Sequence, residues 1–348
     1  MIDLIHGNAY GTHRVMEPKG ILPQAAWKVN NDMSVLYDNE ILIHVQSLNI
    51  DSASFTQIKQ VTNGDIEKMK EHILGIIQER GKMQNPITGS GGMLIGTVAA
   101  IGSSLKHREI QMGDKIASLV SLSLTPLYIE HINTIHVSID RVDVVGQAIL
   151  FESGIYAKLP EDMSENLALA ALDVAGAPAQ TAKLVKPGDS VLILGAAGKS
   201  GLLCLYEAMK RVGPTGRVIA LVRKESDIEK ILSMKLAHHV IVASATEPID
   251  VLEKTLQANQ GKEVDISISC VNIPNTEMSC ILPVKNQGVV YFFSMATSFT
   301  KAALGAEGIG KDVTMIIGNG YTKDHAEITL SELRENPVLR EYFHQRYV

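Results

Sequence analysis

The stretch from Asp189 to Lys224 constrains the fold of this chain more than any other. Val191 to Leu194 is a short apolar run, enough for one buried strand. Gly195, Ala196, Ala197, Gly198, Lys199, Ser200 and Gly201 follow at once. Leu202, Leu203, Leu205, Tyr206 and Met209 then recur at helical spacing. Arg217 to Val222 is a second apolar strand. Strand, glycine turn, helix and strand in that order form the first unit of a dinucleotide-binding sheet. The physical requirement is a pyrophosphate seated on free N–H groups at a helix N-terminus, where the helix dipole also favours negative charge. Side chains would block that approach. Gly198 lets the backbone come close, and Gly201 lets the helix pack on the strand. Ala196 stands where the first glycine of G-x-G-x-x-G is usual, so the pattern is A-x-G-x-x-G. Without its flanks such a turn is an ordinary strand-to-helix connection. With them, Gly195, Ala197, Gly198, Lys199, Ser200 and Gly201 are the expected cofactor contacts.

The end of the second strand bears on which dinucleotide. An acid about 20 residues after the glycines usually holds the ribose 2′-OH of NAD. Here the strand runs into Arg223 and Lys224, with no acid until Glu225. Two cations suit a 2′-phosphate, which favours NADP over NAD. The competing reading is a solvated basic loop. Ligands in such sheets also bind at the carboxyl ends of later strands. That adds Ser269, Cys270 and Val271 after the fourth strand, as backbone contacts, and Ser294, Met295 and Ala296 after the fifth, lining the nicotinamide.

Composition excludes several functions. The 38 acidic and 32 basic residues give a net charge of −6, and no basic stripe is present, which argues against a nucleic-acid partner. No apolar run reaches membrane-spanning length. The first residues lack the basic start and long apolar core of a secretory signal. Three widely spaced cysteines, Cys204, Cys270 and Cys280, fit a reducing cytoplasm rather than a disulfide framework.

In chain order, residues 1–30 read as irregular backbone dense in charge, with His13, Arg14, Glu17 and Lys19 around Pro18 and Gly20. Irregular segments often carry function. Arg14 is the expected anchor for a substrate carboxylate, because a guanidinium forks onto it with two hydrogen bonds. His13 and Glu17 are further candidates for substrate contact, and a surface arm is the alternative. Glu40 to Leu48 alternates as a strand and runs into a polar turn over Asn49–Ser54. Residues 63–82 are helical in pattern, and short strands with glycine turns continue from Met93 through Ile139. These predict a compact β-barrel-like domain. Ser164 caps a helix, and a second helical stretch ends near Pro187. After the βαβ unit, strands are expected at His239–Val242, Val264–Ser269, Gly288–Phe293 and Asp312–Ile317. With the first two they make a doubly wound parallel six-stranded sheet in the order 3-2-1-4-5-6, a Rossmann domain. Ala326 to Phe343 is a polar helical tail expected to return to the first domain.

Several blocks resemble the medium-chain dehydrogenase/reductase superfamily. They are Gly96-Thr97-Val98, Ile101-Gly102, Met112-Gly113-Asp114-Lys115-Ile116 and Lys158-Leu159-Pro160. The A-x-G-x-x-G turn and Leu48-Asn49 resemble its zinc-free quinone-reductase branch. The resemblance implies a GroES-like catalytic domain over 1–164, a Rossmann domain over 165–318 and a return segment over 319–348. It also implies a homo-oligomer, a dimer or dimer of dimers, paired through the last strand of the parallel sheet. Where zinc-dependent members carry metal ligands, this chain has Asp51, the Gly89–Gly92 loop with Ser90, and Asp173. Zinc is held by nitrogen and sulfur ligands at fixed geometry, so no catalytic metal is expected.

Longer blocks are similar to the L-erythro-3,5-diaminohexanoate dehydrogenase family of lysine fermentation. They are Tyr10 to Gly20, Leu22 to Lys28, Tyr291 to Phe299 and Gly305 to Gly320. That family implies oxidative deamination of a small diamino acid with NAD(P)+ and water, giving 5-amino-3-oxohexanoate and ammonia. Such a reaction needs a base to free the C3 amine and activate water, and groups to hold an ammonium. By the superfamily alignment Asp51 and Asp173 stand beside the nicotinamide, one as base and the other as ammonium ligand. Glu152, near the domain junction, is a third catalytic candidate. Asp also caps turns and helices, which is the structural reading of both aspartates. A zinc-free quinone or enoyl reductase and a non-enzymatic nucleotide-binding protein are the competing functions. The first would prefer an apolar pocket without a base, and the second would bind cofactor without turnover.

Overall fold

A computed structural model describes residues 6–294, 296–318 and 320–348. Met295, one of the expected nicotinamide contacts, lies outside the described residues. The chain divides into two compact units, with the boundary between Glu161 and Asp162.

The first unit opens with a 3-10 turn, Thr12–Arg14, and a small ribbon of β1 (Val15–Glu17) and β2 (Lys28–Val29). Its body is an antiparallel sheet of β3 (Glu40–Ile50), β4 (Gly92–Ile101), β5 (Lys115–Ser118), β6 (Leu127–His136), β7 (Arg141–Phe151) and β8 (Tyr156–Lys158). The spatial order is β6-β7-β3-β4-β5-β8, so hydrogen bonding among the described residues leaves β6 and β8 as edges. β3 sits centrally, and Ile41, Ile43, Val45 and Leu48 from it enter the core. Two helices follow it, α1 (Ser52–Val61) and α2 (Ile66–Arg80). The expected polar turn over Asn49–Ser54 is in fact the end of β3 and the start of α1. α2 has both end signals. Asp65 accepts hydrogen bonds from the N–H groups of Glu67 and Lys68, and Gly81 closes the helix at φ +70°. A Cβ on Gly81 would lie 2.1 Å from the Val29 carbonyl oxygen, so the close packing of α2 on β2 requires glycine there. Met69, Ile73, Ile76 and Ile77 form the buried stripe. Each such side chain stabilises the fold by about 1.5–3 kcal/mol.

The second unit begins with α3 (Glu165–Leu172), capped by the Ser164 hydroxyl as expected, and α4 (Gly176–Leu184). The alternation then runs β9 (Ser190–Leu194), α5 (Lys199–Val212), β10 (Arg217–Val222), α6 (Ser226–Ser233), β11 (His239–Val242), α7 (Pro248–Ala258) and β12 (Val264–Ser269). It continues with α8 (Glu277–Ile281), β13 (Val284–Phe292), α9 (Phe299–Gly308) and β14 (Thr314–Ile317). All six strands are parallel in the order β11-β10-β9-β12-β13-β14, the expected 3-2-1-4-5-6. Val191, Leu192, Ile193 and Leu194 are each fully buried, because β9 is central and covered on both faces.

The polar tail is two helices, α10 (His325–Glu335) and α11 (Pro337–Tyr347). α10 packs on α3, α4 and α5, and α11 on α3, all in the second unit. Leu330, Leu333, Leu339 and Phe343 supply the buried stripe. Arg334 pairs with Asp162, and Lys210 with Glu335, along the same seam. None of the helices among the described residues is long and apolar enough to cross a membrane.

One α10 side chain predicts a pH effect. Glu332 is fully buried, and neither carboxyl oxygen has a partner among the described protein atoms. Burial, followed by the neighbouring Glu207, pushes its pKa well above the usual carboxylate range. The folded state therefore holds a proton that the unfolded state releases above about pH 4.3. Stability then falls as pH rises above that point, by up to about 1.4 kcal/mol per pH unit for this group. Glu332→Gln removes the penalty. Its melting temperature relative to the parent should rise steadily from pH 5 to pH 7. A constant difference across that range would show that Glu332 does not hold its proton.

Candidate functional site

The glycine turn lies at the carboxyl end of β9. Gly195 adopts φ +73°, and a Cβ there would come within 3.0 Å of the Cys270 backbone and of Val271 Cγ2. Ala196 is fully buried and donates its N–H to the Leu221 carbonyl at 3.1 Å. Gly201 faces the turn, where a Cβ would lie 2.3 Å from the Gly195 carbonyl oxygen. Its role in bringing helix and strand together is therefore steric and local. Gly198 is different. It is exposed, and an added Cβ would meet only the Gly195 carbonyl oxygen, at 3.3 Å. The protein's own packing leaves room there, whereas a ligand lying against the backbone would not. Gly198 is the N-cap of α5, with no side-chain acceptor over the first N–H groups. A helix start bare of side chains, with half-buried Ala197, Lys199 and Ser200 around it, fits a dinucleotide pyrophosphate.

The neighbouring strand ends converge on the same edge. Ser269 is buried and its carbonyl accepts the N–H of Phe293 at 3.1 Å and of Ser294 at 3.3 Å. Cys270 donates its N–H to the Leu194 carbonyl at 3.0 Å. Cys270, Val271, Ser294 and Ala296 are half-buried. Arg223 and Lys224 follow β10, both exposed, and neither is engaged by another side chain among the described residues.

Asp173 is the C-cap residue of α3, in the second unit. Its carboxylate accepts a hydrogen bond from Lys199 Nζ at 2.5 Å, so one expected catalytic residue is tied to one expected cofactor residue. Spacing along the chain gives no sign of this pair.

Asp51 belongs to the first unit, at the N-terminus of α1. Its side chain does not cap that helix. Asp51 Oδ2 instead accepts the Gly91 N–H at 3.1 Å, and the Asp51 N–H donates to the Gly91 carbonyl at 3.3 Å. Asp51 is thus in direct contact with the Gly89–Gly92 loop. Three hydroxyls gather on the same loop, which the sequence reading missed. Ser54 Oγ is 2.6 Å from both Thr88 Oγ1 and Ser90 Oγ, and Ser54 is fully buried. Ser54 lies on the helix that Asp51 starts, which was the available signal. Glu152 is half-buried, accepts the Asn39 side-chain N–H at 3.0 Å, and lends its carbonyl to Arg108.

The N-terminal candidates read differently in the structure. Arg14 is 1% exposed, and Glu40 fully buried. Nε and Nη2 of Arg14 fork onto Glu40 at 2.6 and 2.7 Å. The remaining guanidinium hydrogens go to the carbonyls of Asn30, Asp32 and Val35. All five donors are used, so Arg14 is a buried anchor of its own loop and has none left for a substrate carboxylate. His13 joins the network. Its Nδ1 accepts the Asn8 N–H, which leaves Nε2–H to donate to Glu40 at 2.8 Å. Glu17 is exposed, and its carbonyl accepts the Trp27 N–H. Lys82 fixes the next part of the arm. It is fully buried and donates to the carbonyls of Pro23 and Gln24, and burial, with Arg80 beside it, lowers its pKa to about 7.

Among the described residues no three His, Cys, Asp or Glu side chains are grouped to hold a metal ion. A cavity of about 680 Å³ lies away from the glycine turn, against β14, lined by Lys183, Arg211, Ile316 and Thr322 among others.

Comparison with known proteins decides the family. Residues 13–160 match the family described as L-erythro-3,5-diaminohexanoate dehydrogenase N-terminal domain. A protein named L-erythro-3,5-diaminohexanoate dehydrogenase from Acetoanaerobium sticklandii is 67% identical, over 98% of this chain and 99% of its own. The chain belongs to the L-erythro-3,5-diaminohexanoate dehydrogenase family. A second protein of that name, from Fusobacterium nucleatum subsp. nucleatum, is 65% identical over 98% of this chain and 99% of its own. Among solved structures, a 2-haloacrylate reductase has a TM-score of 0.53 at 16% identity, covering 88% of this chain and 80% of that one. Likeness at that identity shows the fold alone, a parallel six-stranded sheet and an antiparallel one. Membership in the diaminohexanoate dehydrogenase family makes the chain an oxidoreductase enzyme.

Proposed function

We propose that the chain catalyses the NAD(P)-dependent oxidative deamination of L-erythro-3,5-diaminohexanoate to 5-amino-3-oxohexanoate and ammonia, as a cytoplasmic step of lysine fermentation. The observation that carries this reading is 67% identity to a dehydrogenase of that name over 98% of the chain. The bare helix start at Gly198 supports a nicotinamide dinucleotide, which supplies the hydride acceptor when bound. Asp51 acts as general base. One of its oxygens is fixed by the Gly91 N–H and the other is open, and the side chain is exposed to solvent. It takes a proton from the C3 ammonium, because only the free amine can drive hydride from C3. The exposed Asp51 side chain passes that proton to solvent and is again a carboxylate. Water then adds to the resulting iminium carbon with Asp51 accepting its proton, Asp51 returns that proton to the carbinolamine nitrogen, the hydroxyl proton is lost to solvent, and ammonia leaves. Asp173 is neutralised by Lys199, so it orients that lysine at the turn and is a weaker candidate for the base. Ammonia formed in equal amount to reduced cofactor, from diaminohexanoate alone, tests the reading. Reduced cofactor without ammonia would overturn it.

NADP is favoured, because Arg223 and Lys224 are exposed at the end of β10 and available to a 2′-phosphate. Replacing both by alanine should weaken NADP+ binding by about ten- to a hundredfold, the scale of one or two charge-assisted hydrogen bonds, with NAD+ little changed. Equal losses for both cofactors, measured by fluorescence titration of the reduced forms, would assign the pair no part in the choice. The assembly in this reading is a homodimer or a dimer of dimers joined through β14. That strand is an edge of the parallel sheet, and Ile317 on it is 54% exposed.

A further inference from the structure

Two of the three cysteines meet at the glycine turn. Cys204 lies in α5, one helical turn past Gly201, and is fully buried. Cys270 follows β12 and is half-buried. Their sulfurs are 3.9 Å apart, van der Waals contact for two thiols, although 66 residues separate them. The third, Cys280, is fully buried and sits 2.9 Å from the Ser267 hydroxyl.

We infer that Cys204 and Cys270 form a redox modification site, closed to a disulfide by a hydroperoxide. The roles follow from access. Cys270 is the partly exposed sulfur, and its thiolate attacks one peroxide oxygen. The O–O bond breaks, hydroxide leaves, and Cys270 becomes a sulfenic acid. Cys204 then attacks the Cys270 sulfur, displaces hydroxide and gives up its own proton. In total two thiols lose two electrons and two protons, and hydrogen peroxide becomes two waters. Burial pushes the Cys204 thiol well above its ordinary range, so it does not meet peroxide itself and reacts only with the Cys270 sulfur it already touches. Closing from 3.9 Å to the roughly 2.05 Å of a disulfide needs the two side chains to draw together.

The consequence lies in what the bond would join. α5 carries the bare N-terminus at Gly198, and the Cys270 backbone lies against Gly195. The cross-link therefore ties the helix of the glycine turn to the strand end beside it. On the cofactor reading proposed above, oxidation distorts the pyrophosphate seat and weakens dinucleotide binding. The modification itself does not depend on that reading.

The test oxidises the full-length protein with hydrogen peroxide and counts free thiols with a chromogenic reagent after denaturation. Peptide mass spectrometry then locates the bond, and titration with reduced cofactor follows. The expected result is a fall from three thiols to one, a Cys204–Cys270 cross-linked peptide, and reversal by dithiothreitol. Cys280→Ala should still lose two thiols, whereas Cys204→Ala and Cys204→Ser should form no bond and keep their cofactor affinity under peroxide. Reduced-cofactor binding to the oxidised parent should weaken at least about tenfold and return on reduction. Three thiols surviving, over-oxidation of Cys270 without a bond, or a bond to Cys280 would each overturn the site. A Cys204–Cys270 bond with unchanged cofactor affinity would uphold the site and overturn its coupling to the turn. Failure of the reduced protein to bind cofactor would contradict the cofactor reading instead, with the thiol count still deciding the pair.

Discussion

Asp51→Asn is expected to lower kcat by about 10²- to 10⁴-fold, the range contributed by a positioned acid or base. Cofactor affinity should stay within about twofold, since the side chain is not part of the glycine turn. The substitution is chosen so that the fold survives. An asparagine oxygen can still accept the Gly91 N–H that Asp51 Oδ2 accepts at 3.1 Å. What it loses is the ability to take a proton. Asp173→Asn should have a smaller effect on kcat and a larger one on cofactor binding, because it leaves Lys199 without its carboxylate partner. A near-normal kcat for Asp51→Asn, with a collapse for Asp173→Asn, would reverse the two roles. Pre-steady-state absorbance of the reduced nicotinamide separates chemistry from product release in both variants.

Arg14→Met should destabilise the protein by about 3–5 kcal/mol, the cost of leaving one partner of a buried ion pair alone. Glu40 is fully buried and fixed by Arg14, His13 and the Tyr37 N–H, so without Arg14 it keeps only the last two partners and no permanent cation. Three backbone carbonyls would also lose their donor. The double substitution Arg14→Met with Glu40→Leu should recover part of the loss, since no uncompensated charge remains buried. Urea denaturation of the three variants measures this, and kcat of the folded fraction should be close to that of the parent. A raised KM for diaminohexanoate at unchanged stability would restore Arg14 as a substrate anchor.

These two residues show what a sequence can and cannot convey. Asp51 is singled out only by resemblance to metal-binding relatives, and nothing in its local sequence signals the contact with Gly91, 40 residues away. Arg14 was picked out by the density of charge around it. A charge-rich irregular run reads the same whether it lies on the surface or is sealed inside, and its partner Glu40 is 26 residues away. The Lys199–Asp173 pair and the Cys204–Cys270 contact are likewise long-range and leave no trace in local spacing. The parallel sheet was legible for the opposite reason. Strands buried on both faces read as continuous apolar runs, and the handedness of crossovers leaves few ways to order them. α1 was missed because Ser52, Ala53, Ser54, Thr56 and Gln57 carry little apolar signal, and only Phe55 and Ile58 mark its inner face with large side chains. The tail's helical pattern fixes a buried stripe without saying that α3, α4 and α5 receive it.

The central claim is that hydride leaves carbon 3 of a diamino acid for a nicotinamide, and isotopic labelling reads that transfer directly. L-erythro-3,5-diaminohexanoate deuterated at carbon 3 would be incubated with the purified protein and NADP+ or NAD+, and the reduced cofactor examined by mass spectrometry. The account predicts one deuteron on the nicotinamide for each ammonia released, with NADP+ the faster acceptor. Reduced cofactor without deuterium, or no reduction by a protein shown to bind the cofactor, would contradict it.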